Sequence, residues 1–212
     1  MRTNNIKSAY NIWSSSYDED VNLTRDLDFN VMDKTFSNSE FNKILEIGCG
    51  TGKNTKLLSS IAKTVYAFDF SEGMISIAKE KIQLKNVAFT QADINLKWPT
   101  VKNLVDLITC NLILEHIEDL PFIFSEASCV LKNKGKFFIS ELHPFRQYEG
   151  IKANFEHDGI KTEIKAFVHH ISDFLDAANK SGFKLLELKE WWHDKDHNKP
   201  PRLITFMFEK TE

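Results

Sequence analysis

The chain has 212 residues, of which 42% are hydrophobic, enough to fill the core of one domain, or of a domain carrying a lid. Its 27 basic and 30 acidic residues leave a net charge of -3 with no long run of either sign, which argues against nucleic acid or an anionic membrane as partner. No apolar run reaches the roughly 18 to 20 residues of a membrane helix, the N-terminus lacks a signal peptide's apolar core, and Cys49, Cys110 and Cys129 show no C-x-x-C spacing, so the sequence reads as a cytoplasmic protein with buried free thiols and no metal.

In chain order, Ile6, Tyr10, Trp13 and Tyr17 recur at helical spacing and fall on one face, so residues 1–40 are expected to form an N-terminal helical cap. A strand over Lys43 to Ile47 runs into the glycines of "EIGCGTG", and "KNTKLL" starts a helix. A second strand, Val65 to Phe68, ends at Asp69, and "SEGMISIAKEKIQL" is a helix capped by Ser71. A third strand, Val87 to Thr90, precedes "QADI", and a fourth, Leu104 to Thr109, leads to Asn111. A helix opening at Asp119 with an early proline is expected to stop at Gly135, where a fifth strand runs to Glu141. Residues 143–168 read as a lid inserted after that strand. His169 and His170 begin a helical pattern. The last two strands, Phe183 to Glu190 and Leu203 to Phe208, flank a polar turn holding His193 and His197 and should pair as an antiparallel hairpin. Strand and helix alternating through the first two thirds imply a mostly parallel sheet covered on both faces.

In such a sheet, ligands sit beyond the carboxyl ends of the strands, where the glycine loop lies. Gly48, Gly50 and Gly52 let backbone approach a ligand, and the following helix offers its N-terminal amides. Lys53 is followed by Asn, not Ser or Thr, so this is not a phosphate-binding P-loop, and the glycine spacing also fails the dinucleotide pattern G-x-G-x-x-G. Asp69, about twenty positions beyond Gly50, suits a carboxylate that accepts hydrogen bonds from two ribose hydroxyls. Asp93 can accept a bond from an adenine amino group, with Phe70 and Ile94 as apolar walls.

Together "LEIGCGTG", "FDFSEGMI", "ADI", "VDLITCNLILEHIEDL" and "LKNKGKFFISE" resemble the motifs of the class I S-adenosylmethionine-dependent methyltransferases. The resemblance runs from about Tyr10 to the C-terminus. It implies an α/β, Rossmann-like fold: a seven-stranded, mostly parallel sheet with an antiparallel last strand and helices on both faces, in a single domain spanning 1–212. It implies S-adenosylmethionine as cofactor, with S-adenosylhomocysteine as product. Glu46, Gly48, Cys49 and Gly50 would surround the methionine part, Asp69 the ribose, Phe70 and Met74 the adenine faces, and Asp93 and Ile94 its edge. Asn111 and Tyr17 would lie near the methionyl group.

Methyl transfer needs a nucleophile aligned with the methyl–sulfur bond and, for some acceptors, a base. His143 in "ELHPF" and His116 in "LEHIE" are the candidate bases. Tyr10, Trp13, Arg146 and Tyr148 are candidate substrate contacts, with Glu115 and Glu141 in support. The sequence thus predicts methylation of a small molecule and leaves a homodimer open. A non-catalytic module that binds the cofactor or its product, and a nucleotide-dependent oxidoreductase, are the alternatives.

Overall fold

The computed structural model describes residues 3–157 and 160–211. Two helices, α1 (Thr3–Trp13) and α2 (Leu23–Phe36), precede the first strand, β1 (Phe41–Ile47). Then follow α3 (Lys53–Ile61), β2 (Ala62–Asp69), α4 (Glu72–Lys81), β3 (Val87–Gln91), β4 (Val105–Asn111), a 3₁₀ turn (Leu114–His116), α5 (Leu120–Val130) and β5 (Leu131–Leu142). Beyond them lie α6 (Pro144–Tyr148), a small hairpin of β6 (Asn154–His157) and β7 (Ile160–Glu163), α7 (Ile171–Lys180), β8 (Phe183–Trp191) and β9 (Leu203–Lys210).

Seven strands form one sheet in the order β3-β2-β1-β4-β5-β9-β8. The first five run parallel, because a helix crosses over between each consecutive pair from β1 to β3 and from β4 to β5. β8 and β9 are joined by a short polar turn with no crossover, so they pair antiparallel, and β9 wedges antiparallel between β5 and β8. Six strands therefore share one direction and β9 opposes them, as the sequence led us to expect. The chain leaves β1 toward β2 and β3 on one side and returns to β4 on the other, which opens a crevice at the carboxyl ends of β1 and β4.

Alternation along each strand builds two cores. On one face Ile44, Val65, Leu107 and Phe138 pack against Leu27, Val31 and Met32 of α2 and Leu58 of α3. On the other, Leu45, Ile108 and Ile139 meet α5 and α7. There Phe124, Phe137, Phe206 and Phe208 are all fully buried, each contributing about 1.5–3 kcal/mol. Strands buried on both faces are why these stretches read as continuous apolar runs.

Three expectations need correction. The helix after Asp119 ends at Val130, not Gly135, and β5 already starts at Leu131. Lys134 takes a positive φ of 62°, and a Cβ on Gly135 would stand 2.8 Å from the Lys132 carbonyl, so that glycine kinks a strand instead of closing a helix. Tyr17 does not continue the helical stripe: α1 stops at Trp13, and a turn carries Tyr17 back under it. Cys49 and Cys110 are buried, whereas Cys129 is exposed. Within residues 143–168, α6 folds toward the β8–β9 turn while Ala153 and Ile164 pack on Ile6, Ala9 and Trp13 of α1.

Candidate functional site

At the crevice, β1 ends in the glycine loop and β2 in Asp69. Gly48 has φ 71°, a left-handed conformation that favours glycine, and a Cβ there would press on the Ile113 side chain in the segment leaving β4. Gly50 has φ 53° and nothing within 4 Å of its would-be Cβ. That open side faces a cavity.

Asp69 holds the loop shut. Its Oδ2 accepts the Gly50 N–H at 2.9 Å and its Oδ1 the Ser71 N–H at 2.8 Å. Burial pushes its pKa up to about 6, against the pull of those two amides. Glu46, one turn of chain earlier, is buried against α3 and accepts the Thr55 hydroxyl at 2.5 Å, and burial raises its carboxyl to about 8. Asp28, delivered by α2, accepts from Asn111 Nδ2 at 2.8 Å and Asn54 Nδ2 at 2.9 Å. Its pKa is raised, chiefly by burial.

Tyr17, Glu46, Gly48, Cys49, Gly50, Asp69, Phe70, Met74, Asp93, Ile94 and Asn111 all line this cavity, as do Tyr10 and His116. Asp93 Oδ1 accepts the Asn95 N–H at 3.0 Å, which fixes the turn after β3. Over the opening, Tyr10 meets Phe70 edge-on, with ring centroids 5.9 Å apart. Its hydroxyl sits 2.8 Å from His116 Nε2, and His116 Nδ1 is 3.0 Å from the Lys165 carbonyl. A carbonyl only accepts, so the proton is on Nδ1, and Nε2 accepts the tyrosine hydroxyl. Burial above all, with nearby phenol and carboxylate groups adding, pushes the Tyr10 pKa well above its ordinary value and keeps that hydroxyl protonated.

Residues 45–139 match the family model described as a methyltransferase domain. Among relatives, the chain is 32% identical to the biotin biosynthesis bifunctional protein BioHC of Saccharophagus degradans, over 66% of this chain and 26% of that one. It is 31% identical to the malonyl-[acyl-carrier protein] O-methyltransferase of Bacillus anthracis, over 54% of this chain and 44% of that one. The match to the ubiquinone biosynthesis O-methyltransferase of Coxiella burnetii is 29% identical, over 68% and 64%. The chain thus spans less than two thirds of each of these relatives. In architecture it is similar to S-adenosylmethionine-dependent methyltransferase structures from Mesorhizobium loti (TM-score 0.73, 18% identity, covering 89% of this chain and 100% of that one) and Clostridium acetobutylicum (0.71, 20%, 95% and 97%).

The stretch that matches the methyltransferase-domain model supplies the cavity's floor. Tyr10, Arg25 and Asp28 come from the two helices before it and Tyr17 from the turn between them, and together they form the roof and one wall. Arg25 and Asp28 escaped the sequence reading, because one charged residue on an amphipathic helix looks like solvated surface. The only available signal was Asn22, whose side chain caps α2 through the amides of Thr24 and Arg25 and so sets which residues point inward. The Arg25 guanidinium lies over the Tyr17 ring at 3.9 Å and over Trp13 at 5.4 Å, donating to the carbonyls of Tyr17 and Asp20.

Three of the expected site residues lie elsewhere. His143 lines no part of the cavity: it is buried as the N-cap of α6, with Nδ1 accepting the Phe145 amide at 3.1 Å and Nε2 donating to Glu190 at 2.9 Å. Burial lowers its pKa despite Glu190. Arg146 is buried against the carbonyls of Pro200 and Pro201 and paired with Asp196 at 3.1 Å. Tyr148 is exposed and bonded to His170. All three follow β5 at the ligand-binding end, but Glu190 of β8, the turn between β8 and β9, and His170 before α7 hold His143, Arg146 and Tyr148 away from the cavity. Trp13 reaches not this cavity but a second one beside it. Among the described residues no helix is long and apolar enough to cross a membrane, and no group of three His, Cys, Asp or Glu is placed to hold a metal.

Proposed function

We propose that the protein is an S-adenosylmethionine-dependent methyltransferase acting on a small-molecule acceptor. The observation that carries this reading is the cavity at the β1–β4 crevice, where Gly50 presents an open face and the buried carboxylates of Glu46, Asp28 and Asp69 surround it. That donor set fits the cofactor: the cradle beside Gly50 is one a Cβ would fill, and acidic walls suit an ammonium and a sulfonium.

Glu46 and Asp28 would hold the α-ammonium, Arg25 the α-carboxylate, and Asp69 the ribose. Phe70, Met74 and Ile94 would pack on the adenine, with Asp93 at its amino edge. When bound, the cofactor supplies an electrophilic methyl group on a cationic sulfur. The protein supplies orientation, dryness and a route for the acceptor's proton. Tyr10 and His116 form that route: the hydroxyl proton moves to Nε2 while the tyrosine oxygen takes the acceptor's proton, and the Lys165 carbonyl steadies Nδ1. With Tyr10 and Phe70 over it, the cavity measures 110 Å³, and a shift of the N-terminal helix that carries Tyr10 would widen it for the cofactor.

Calorimetry with S-adenosylmethionine and, separately, NAD tests the binding half; binding of NAD alone would reverse the assignment. Transfer of labelled methyl from the cofactor into a small-molecule extract tests the catalytic half. Tight binding with no label moved into any extract would mark a cofactor-binding module instead.

A further inference from the structure

The second cavity has a volume of 440 Å³, within the range of small-molecule sites. It adjoins the first, and Tyr10, Tyr17, Arg25 and Leu112 line both. Leu112 is itself held at a positive φ of 58°, a conformation costing a leucine about 1–2 kcal/mol, at the point where the two spaces meet. The rings of Tyr10, Trp13 and Tyr17 form one wall, at centroid distances of 5.7 and 4.7 Å. Leu112, Leu142, Ile151 and Ala153 supply the apolar remainder.

Most of the charged groups lining it are engaged or face solvent. Arg202 at the mouth is gripped by Asp196 through two bonds of 2.7 and 2.6 Å. Arg25 turns its Nη atoms to backbone carbonyls. Asp20 accepts the Trp13 indole N–H at 2.6 Å, and Lys152 is exposed at the rim. Glu115 differs. It lines the cavity with only 6% exposure, and its buried Oε2 makes no hydrogen bond within 3.5 Å among the described residues, the Gln147 side chain being the neutral group that stands near the carboxylate. Its Oε1 lies 3.9 Å from His116 Nε2, so the carboxyl stands beside the tyrosine–histidine pair. Glu141, behind it, spends Oε1 on the amides of Ile113 and Leu114. A buried acceptor oxygen without a donor is costly, and a ligand that brings one removes the cost.

We propose that this second cavity takes the methyl acceptor and that Glu115 selects one presenting a hydrogen-bond donor, a hydroxyl or a protonated amine, on an apolar planar body, and rejects carboxylic acids. The proposal rests on the methyltransferase reading, because it places the acceptor beside the cofactor cavity.

Three matched probes test it: benzyl alcohol, benzylamine and benzoate, titrated by ligand-observed NMR into protein saturated with S-adenosylhomocysteine. The alcohol and amine should bind at least tenfold more tightly than benzoate. Glu115→Gln, the same size without the charge, should erase most of the amine's advantage and admit benzoate. Leu142→Phe, which fills the cavity without touching the carboxylate, should weaken all three alike. Benzoate binding as tightly as benzylamine, an unchanged ranking in Glu115→Gln, or indifference to Leu142→Phe would each overturn the proposal. Failure of S-adenosylhomocysteine to bind in the first place would instead overturn the methyltransferase reading beneath it.

Discussion

Glu46→Gln should make the ligand-free protein more stable, and increasingly so as pH rises. Glu46 is 4% exposed, and its folded carboxyl is raised from 4.5 to about 8 by burial. In the unfolded chain the carboxylate is free to ionise above about 4.5, whereas in the folded protein it must stay protonated or be charged in the dark. Its contribution is therefore fully present below 4.5 and is lost as pH rises through 8. Each pH unit inside that window costs about 1.4 kcal/mol, so between pH 6 and pH 8, where the folded group is half ionised, the wild type should lose about 2 kcal/mol through this residue. Glutamine keeps an oxygen for the Thr55 hydroxyl and has no proton to lose. Urea unfolding of both proteins at pH 6 and pH 8 should show the gap between them widening by about that amount. A constant gap would mean that Glu46 is solvated or paired, and the acidic cavity would lose one of its walls.

Asp69→Ala should weaken S-adenosylmethionine binding by roughly 1.5–3 kcal/mol in calorimetry, since it removes the ribose acceptor and leaves the Gly50 amide unpaired; unchanged affinity would remove the ribose assignment. Gly50→Val should abolish cofactor binding with the fold intact, because φ 53° and the open side of the loop place the new side chain in the cavity; near-normal binding by a folded variant would refute it. Tyr10→Phe keeps the ring and loses the hydroxyl, so kcat should fall roughly 100-fold with cofactor affinity within about twofold once an acceptor is in hand; a change confined to KM would leave Tyr10 a wall. His143→Ala should cost about 1 kcal/mol of stability through the lost helix cap and leave kcat within about twofold; a large fall in kcat with normal cofactor binding would return it to the catalytic list.

The sequence by itself determined the sheet and the floor of the cofactor cavity. Short strands buried on both faces, helices with Ser71 and Asp119 as caps, and glycines at Gly48 and Gly50 are local facts, each tied to the chain within a few residues of itself. Every residue from Glu46 to Asn111 expected to hold the cofactor lines the cavity, because all but Met74, in the first turn of α4, sit at or just beyond a strand end whose direction the parallel crossovers dictate. What the tertiary structure decided is how the segments outside that frame fold over it. Tyr10 meets His116 across more than a hundred residues, and Asp28 reaches Asn111 only because α2 docks on the sheet face. His143 and Arg146 occupy a stretch whose composition suits a lid, yet Glu190 and Asp196, on β8 and in the turn after it, draw both side chains outward. Direction at a strand end is inherited from the local backbone, but the destination of a loop depends on which distant polar groups and apolar faces are left to satisfy it. Those become defined only when β9 inserts beside β5 and the N-terminal helices close over the crevice.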